Sequence, residues 1–159
     1  MTRVGFGYDV HPFAPGRRLV LGGVEIPSDR GLAGHSDADV LLHAIADALL
    51  GGAGLDDIGT HFPPSDERWR DVDSRDLLAR VGQLLAPRWR IVHIDATVIT
   101  EHPRIASHRE AMRAAITETL SIRHDQINIK GKTNEHLGFI GRQEGICAIA
   151  VATLEEMAS

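Results

Sequence analysis

The sequence predicts an α+β fold in which a mixed sheet of four to five strands carries helices on one face. Strand-like segments, with alternating or continuous apolar residues, occur near both ends of the chain and in its middle. Three other segments carry apolar residues at helical spacing. The resulting order is β-β-α-α-β-α-β-β, without repeats or linkers, so we expect residues 1–159 to form a single domain.

The first two segments have the pattern of strands. Residues 2–11, TRVGFGYDVH, alternate between an apolar face and a face of glycine and polar residues, which predicts a strand with one buried face. Residues 18–27, RLVLGGVEIP, predict a second strand in which Gly22 and Gly23 form a bulge. The apolar face of the first strand consists of Val4, Phe6, Tyr8 and Val10.

Three helices are predicted. Residues 35–54 carry a clear apolar stripe, with Ser36 as N-cap, paired with Asp39, and Gly51-Gly52 as the end. Residues 71–87 form the second helix, with Ser74 as its N-cap, and we expect it to bury Leu84 with its other leucines. Residues 102–121 form the third, in which Ser107 and Glu110 match a capping box.

The remaining segments complete the sheet. Residues 90–100 are β-branched and largely apolar, which predicts a central strand, and residues 126–133 predict another. The glycine-rich residues 134–145 predict a loop. Residues 146–156 are apolar on both faces, so we expect an interior strand.

Composition excludes several classes of protein. A net charge of −5 argues against nucleic-acid binding, which needs a basic surface. No apolar run reaches the ~18 residues of a membrane span. The single cysteine, Cys147, favours a reducing compartment, and nothing near Met1 is typical of a signal peptide, so we expect a cytoplasmic protein. Aromatic residues make up only 4% of the chain, a hint that subunits share a core.

Three polar residues have the composition of a metal site. Asp9 and His11 lie two apart on one strand, so they share a face. His43 lies in the middle of the first helix, one turn from both Asp39 and Asp47. One carboxylate and two imidazoles would suit zinc and leave a fourth position open. The alternative is a strand-end turn and a surface charge pair on the helix.

Three other polar segments suggest ligand binding. Residues 34–39, GHSDAD, could present a helix N-terminus and Ser36 to a phosphate, with His35 as a possible cation, although plain capping also explains Ser36. Residues 130–145 gather cations and glycines, and Thr133 and Glu135 there suit a phosphate and a divalent ion; a solvated hairpin is the alternative. Asp57 beside Gly59 could bind hydroxyl groups or cap a turn.

Four segments together resemble the signature segments of the 2-C-methyl-D-erythritol 2,4-cyclodiphosphate synthases, enzymes of the non-mevalonate route to isoprenoids. The segments are GYDVHPF, GHSDADVLLHAIADALLG, DIGTHFP and EHLGFIGRQEG. The resemblance runs from about Arg3 to about Leu154, and its most specific part is S-D-x-D-V-x-x-H with D-V-H upstream. It favours the metal interpretation of Asp9, His11 and His43.

The resemblance implies an assembly and cofactors. Three subunits would pack their sheets around a threefold axis, with an active site between each pair of neighbours. Zn²⁺ would be held by Asp9, His11 and His43, and a second ion, Mg²⁺ or Mn²⁺, by Glu135 and the substrate diphosphate. The catalytic residues implied are His35, Thr133 and Glu135.

The resemblance also implies a substrate site. His35 and Ser36 would contact a phosphate, Asp57 and Gly59 the methylerythritol hydroxyls, and residues 100–106 the cytidine. The resemblance implies that the following residues contact the substrate: Asp9, His11, His35, Ser36, Asp57, Ile58, Gly59, Phe62, Ser65, Asp66, Thr100, Pro103, Arg104, Ile105, Ala106, Lys132, Thr133, Asn134 and Glu135. It implies that Phe139 and Arg142 contact an isoprenoid diphosphate in the central cavity.

Two positions depart from the family pattern. Pro64 stands where an acid is common, so a contact through that carboxylate is absent. Asn134 stands where threonine is common, which changes the polar group offered to the diphosphate.

The activity implied is that of a phosphorus-oxygen lyase. It would close 4-diphosphocytidyl-2-C-methyl-D-erythritol 2-phosphate into a cyclic diphosphate and release CMP. Two alternatives remain open: a zinc-dependent phosphohydrolase that gives a linear product, and a non-catalytic trimer that binds isoprenoid diphosphates.

Overall fold

The computed structural model describes residues 1–158. Within them, a five-stranded sheet has the strand order β4-β1-β7-β5-β6, and β2 and β3 form a separate hairpin. The strands are β1 (Thr2–Pro15), β2 (Leu19–Leu21), β3 (Val24–Ile26), β4 (Arg30–Leu32), β5 (Trp89–Ile99), β6 (Ile127–Lys132) and β7 (Gly145–Glu156). The α-helices are α1 (Val40–Ala53), α2 (Ile58–His61), α3 (Ser74–Leu85), α4 (Arg109–Leu120) and α5 (Gly138–Gly141). Short 3₁₀ helices span Glu67–Trp69, Ile105–Ser107 and His124–Gln126.

The main sheet is mixed, as the sequence predicts. β5 and β6 are parallel, whereas β1 runs antiparallel to both β4 and β7, and β7 runs antiparallel to β5. The predicted interior strand, β7, lies at the centre, between β1 and β5. Among residues 1–158, no helix combines the length and the apolar character that a membrane span requires.

Helix α1 is the centre of the core. It packs on β1 and β7 on one side and on α3 on the other, so its side chains are buried nearly all round. The helices therefore cover one face of the main sheet, as predicted, and α4 packs beside α3 and against β6. The predicted apolar stripe of α1 is completely buried; it comprises Val40, Leu41, Ala44, Ile45, Ala48 and Leu49.

The buried face of β1 is the opposite of the one that its apolar residues suggest. Gly5 and Gly7 point at α1, and a Cβ on either would lie 1.9 Å from a backbone oxygen of that helix. The apolar side chains point away from the helices and are exposed, with Phe6 at 62% and Tyr8 at 50%. The glycines are buried because they permit the close approach of helix and strand.

The predicted bulge is a tight turn. Gly22 and Gly23 have positive φ angles of 61° and 74°, and they connect β2 to β3 as a two-residue hairpin. Consecutive residues with positive φ are the signature of the turn that best matches strand twist in a hairpin. The segment is therefore two short strands and not one bulged strand.

The helix boundaries differ from the predicted caps. Asp39, not Ser36, caps α1 by accepting a hydrogen bond from the Leu42 N–H, and α1 runs to a C-cap at Gly54. Asp73 caps α3, so Ser74 is already its first residue. These segments are rich in capping residues, and tertiary contacts select among them.

Three further expectations are wrong. Helix α4 begins at Arg109 without a side-chain cap, so Ser107 and Glu110 form no capping box. Leu84 is 47% exposed on α3. The segment predicted as a loop, residues 134–145, contains the short helix α5.

Candidate metal centre and ligand cavity

Asp9, His11 and His43 form one cluster. Their ligand atoms all lie within 4.8 Å of one another. The Oδ2 atom of Asp9 lies 2.9 Å from Nε2 of His11 and 3.1 Å from Nδ1 of His43. The period of strand β1 places Asp9 and His11 on the side that faces α1, and α1 supplies His43. The turn and charge-pair alternative does not describe these residues, because the three side chains converge.

Each imidazole of the cluster has a second polar contact. Nδ1 of His11 lies 2.8 Å from the carbonyl oxygen of Ala33, which leaves Nε2 to face Asp9. Nε2 of His43 lies 3.0 Å from Oγ of Ser74 and 3.4 Å from Oγ of Ser36, which leaves Nδ1 to face Asp9. Such outer contacts orient histidines that bind metals.

The electrostatics of the cluster favour a bound cation. Burial opposes the charge of Asp9, but the hydrogen bonds and charges of His11 and His43 outweigh burial and lower the pKa of Asp9 to about 2. Burial likewise opposes the charge of His11, but the hydrogen bond and charge of Asp9 outweigh it and raise the pKa of His11. Asp9 is thus a carboxylate at neutral pH and is poised to accept positive charge.

The donor set fits a catalytic type of metal site. Two imidazole nitrogens and one carboxylate oxygen are ligands that zinc accepts, and three protein ligands leave a position open. The side chains of His43, His11 and Asp9 are 15%, 20% and 26% exposed, so the open position can be reached from solvent.

The two acids that flank His43 on the helix serve other purposes. Asp39 is completely buried and accepts hydrogen bonds from the backbone N–H groups of Gly22, Gly23 and Leu42. Its burial raises its pKa to about 6 against the effect of these donors. Asp47 accepts a hydrogen bond from the Ile58 N–H and so connects α1 to α2.

The segment before α1 holds one predicted residue at the cluster. Ser36 is buried, and its hydroxyl also accepts a hydrogen bond from the Ala38 N–H. His35 is exposed beside it. Because α1 begins four residues after Ser36, the predicted helix N-terminus at Ser36 is wrong, and its helix amides cannot be counted for phosphate binding there.

The predicted residues after α1 are arranged as capped turns. Asp57 caps α2 and accepts a hydrogen bond from the Thr60 N–H, a bond that lowers the pKa of Asp57. Ile58 and Gly59 lie on α2, and Phe62 ends it. Asp66 caps the next 3₁₀ helix and is paired with Arg68, and Ser65 is exposed.

A separate cavity of about 640 Å³ lies between the end of β5, the start of α4 and the end of β6. It brings together most of the residues predicted for the cytidine pocket with part of the diphosphate loop: Thr100, Pro103, Arg104, Ile105, Ala106, Lys132 and Thr133. Five further lining residues were not among the named contacts: Glu101 and His102, which lie within the predicted stretch 100–106, and Arg109, Gly131 and His136. Arg104, Arg109 and Lys132 give the cavity a cationic lining that suits an anion.

A buried carboxylate holds the loop that follows β6. Oε1 of Glu101 accepts hydrogen bonds from the backbone N–H groups of Asn134 and His136, at 3.0 and 3.1 Å. Its side chain is only 3% exposed. The Thr133 hydroxyl lies 3.2 Å from Oε1 of Glu135, so these two predicted residues are adjacent. Glu101 lies within residues 100–106, which were predicted to contact the cytidine, but its hydrogen bonds to the following loop were not predicted.

The remaining predicted residues of this loop point elsewhere. The Asn134 side chain donates to the carbonyl of Leu137. Phe139 is 41% exposed on α5, and Arg142, which follows α5, is exposed and pairs with Glu144 at 3.2 Å.

The predicted site therefore falls into two parts in a single copy of the chain. Within residues 1–158, the lining of the cavity includes none of Asp9, His11 and His43. A mixed sheet with an open Asp-His-His cluster and a cationic cavity defines a class of α+β proteins that can hold a divalent metal and an anionic ligand.

Comparison with known proteins identifies the family. The model of the YgbB family matches residues 2–155, and the chain belongs to this family. Curated relatives from Symbiobacterium thermophilum and Syntrophomonas wolfei are named 2-C-methyl-D-erythritol 2,4-cyclodiphosphate synthase. The first is 59% identical over 95% of this chain and 97% of its own length. The second is 56% identical over 97% of this chain and 99% of its own length.

Solved structures agree with this assignment. The Plasmodium falciparum IspF structure, described as a CDP complex, has a TM-score of 0.88 and 34% identity, and the match covers 99% of this chain and 97% of that one. The bifunctional IspDF from Campylobacter jejuni has a TM-score of 0.95 and 37% identity, and the match covers 99% of this chain and 43% of that longer chain.

Proposed function

We propose that the chain, as a single domain, converts 4-diphosphocytidyl-2-C-methyl-D-erythritol 2-phosphate to 2-C-methyl-D-erythritol 2,4-cyclodiphosphate with release of CMP. This is the activity of a phosphorus-oxygen lyase in the non-mevalonate pathway, and we place it in the cytoplasm. The observation that carries the proposal is the open cluster of Asp9, His11 and His43. The name of the curated relatives supports the choice of reaction.

The cluster is proposed to hold Zn²⁺, and Glu135 to hold a second ion, Mg²⁺ or Mn²⁺, together with the substrate diphosphate. These cations would supply Lewis acidity and neutralise phosphate charge. Asp9 contributes a negative charge that attracts the cation, and His11 and His43 contribute neutral nitrogen ligands. Glu135 is exposed beside Thr133, where an approaching diphosphate can reach it.

The protein side chains would mainly position the substrate and neutralise the charge of its phosphates. The substrate 2-phosphate attacks the β-phosphorus within one molecule and CMP leaves, so a folded substrate conformation accelerates the reaction. Arg104 and Lys132, which line the cavity, would lower the repulsion between the phosphates. His35 and Ser36 would contact a phosphate near the cluster, and Asp57 the methylerythritol hydroxyls. The cavity would hold cytidine, in keeping with the CDP bound to the Plasmodium falciparum relative.

A trimer would complete the site. The proposed arrangement places three sheets around a threefold axis, with the metal cluster of one subunit facing the cavity of its neighbour. Two observations support it: the separation of the two half-sites in one chain, and the exposed apolar face of β1, which includes Phe6 and Tyr8. Phe139 and Arg142 would face the central cavity, where an isoprenoid diphosphate could bind.

The proposal is tested by metal analysis of the purified protein and by an assay of CMP release. We expect one zinc per chain and turnover that depends on a divalent metal. His43→Ala should abolish zinc binding and turnover together, because two ligands hold the ion too weakly. Full activity in a demonstrably zinc-free His43→Ala protein would refute the assignment of the site.

Phosphorus NMR of the product distinguishes the proposed reaction from its alternatives. A cyclic diphosphate supports the synthase. A linear product would identify a phosphohydrolase, and the absence of turnover together with binding of isoprenoid diphosphate would identify a non-catalytic trimer.

A further inference from the structure

His43 presents Nδ1 to the metal cluster, which leaves its other ring nitrogen to be explained. A neutral imidazole carries one proton, so a ring that binds a cation through Nδ1 must carry that proton on Nε2. The orientation and tautomer of the ring then depend on what accepts a hydrogen bond from Nε2–H.

The acceptor next to Nε2 is Oγ of Ser74, at 3.0 Å. Ser74 is the first residue of α3 and is 1% exposed. Its hydroxyl donates to Oδ1 of Asp37, and its backbone N–H donates to Oδ2 of Asp37 at 3.0 Å. Asp37 therefore accepts two hydrogen bonds from Ser74 at the start of α3, one from the hydroxyl and one from the backbone N–H.

The direction of the hydrogen bonds follows from the number of protons. A hydroxyl has one hydrogen, and Ser74 gives it to Asp37, which as a carboxylate can only accept. Ser74 can then only accept from His43. If the ring were rotated to place Nδ1 beside Ser74, Nε2 would face Asp9 instead, and Nδ1 would no longer face the cluster.

The other imidazole of the cluster is held by the same logic. Nδ1 of His11 faces the carbonyl oxygen of Ala33, which also can only accept.

Ser36 offers His43 a second oxygen, but at 3.4 Å, and this oxygen already accepts from the Ala38 N–H. Ser74 is therefore the principal acceptor for His43.

From this geometry we infer that Ser74 and Asp37 are positioning residues for the metal site. They hold His43 with Nε2–H bound to Ser74 and with Nδ1 free toward the cation. The inference rests on the proposed metal-dependent function, and it assigns to the start of α3 a part in metal binding. Neither residue touches the reacting atoms in this scheme.

The first measurement is nitrogen-15 NMR of the histidine side chains in the zinc-loaded protein. The signals of His43 are assigned as those that are absent from the spectrum of His43→Gln. We expect Nδ1 of His43 to show the shift of a metal-bound nitrogen and Nε2 to carry a proton that exchanges slowly with water. Coordination through Nε2, or an Nε2–H that exchanges as fast as in a free imidazole, would overturn the inference.

The second measurement is zinc affinity, by competition with a chelator of known affinity. Ser74→Ala removes the acceptor and should weaken binding by roughly 10- to 100-fold, the usual effect of losing such a partner. Asp37→Ala keeps the hydroxyl but frees its hydrogen, so it should also weaken binding. Unchanged affinity in Ser74→Ala would overturn the inference.

Asp73→Ala is the matched structural control. Asp73 caps the same helix by accepting from the Arg75 N–H at 2.8 Å, and it makes no hydrogen bond to His43. This variant should lower the melting temperature but leave zinc affinity and the exchange of the Nε2–H unchanged. An equal loss of zinc affinity in Asp73→Ala would mean that α3 acts only through general stability, and the inference would fail. If Ser74→Ala and Asp37→Ala do not fold, the NMR measurement on the wild-type protein decides.

The test separates this inference from the proposed function. A wild-type protein that binds no divalent metal and releases no CMP contradicts the proposed function. A wild-type protein that does both, while Ser74→Ala binds zinc equally well, contradicts only the role of Ser74 and Asp37.

Discussion

Replacing Gly7 by alanine should separate helix α1 from strand β1. A Cβ at Gly7 would lie 1.9 Å from the backbone oxygen of Ala44 and 2.8 Å from the backbone nitrogen of Ala48. Ordinary contacts begin near 3.4 Å, so the helix would have to retreat by about 1.5 Å. No side-chain rotation can relieve the clash, because both neighbouring atoms belong to the backbone.

The displacement should affect stability and metal binding together. Overpacking of a core costs about 1–3 kcal/mol, and a clash with several backbone atoms of one helix belongs at the upper end, about 3 kcal/mol. This is a large part of the 5–15 kcal/mol or so that stabilises an ordinary domain. His43 precedes Ala44 on α1, and metal–ligand distances tolerate changes of only about 0.2 Å, so zinc affinity should fall by at least ~100-fold.

Urea unfolding and zinc competition measure the two effects, and Gly51→Ala is the control. Gly51 lies in the last turn of α1, and the nearest atom to its Cβ would be the Phe6 oxygen at 3.9 Å, an ordinary contact. Alanine there should stabilise the helix by up to ~1 kcal/mol and leave zinc affinity unchanged. A Gly7→Ala protein with the unfolding midpoint and zinc affinity of the wild type would refute the reasoning.

Three further results are expected. Zinc affinity should be retained above the raised pKa of His11 and should fall as the pH falls through that pKa, because at low pH protons compete with zinc for the His11 ring. Competition titrations at several pH values measure this affinity, and an affinity independent of pH contradicts the prediction. Asp39→Ala should lower the free energy of unfolding by about 3–5 kcal/mol in urea, since it leaves two turn N–H groups and one helix N–H without their acceptor; a loss below about 1 kcal/mol would show that water replaces it. Phe6→Asp should convert the proposed trimer to monomers in sedimentation, because it places a charge on the exposed apolar face of β1, and an unchanged trimer would place the interface elsewhere.

Periodicity was sufficient to predict most of the sheet and the core of α1, but it could not decide which face of β1 is buried. Hydrophobicity ranks Phe6 above Gly7 as a core residue, yet the core side is the side of Gly7. The reason is geometric: the distance between helix and strand is set by whether a Cβ is present, and a hydrophobic pattern does not contain that distance.

For α1 and α3, capping was predicted in the correct segments but on the wrong residues. The stretch before α1 contains Ser36, Asp37 and Asp39, each of which is a good cap. The hairpin turn at Gly22 and Gly23 decides between them, since both of its N–H groups bind Asp39. These two hydrogen bonds join residues that are 17 and 16 positions apart, so local sequence patterns do not predict them.

Spacing predicted only part of the cluster of Asp9, His11 and His43, and the family resemblance favoured the metal interpretation. Asp9 and His11 share a strand face by parity, and His43 lies on the helix that covers it. The division of the predicted site between the cluster and the cavity was not predictable from motifs within one chain, since short motifs contain no distances to each other.

Parity along β1 connects the site to the assembly. Gly5, Gly7, Asp9 and His11 are all odd-numbered, so one strand face carries both the glycines and the metal ligands. His43 belongs to a helix, and a helix that reaches those ligands must cover that face, which the close approach at the glycines permits. The even-numbered apolar residues, Phe6 and Tyr8 among them, are then necessarily turned away from the helices. A chain that places its metal ligands beneath α1 thus exposes an apolar strand face, and a second copy of the same surface is a suitable cover for it.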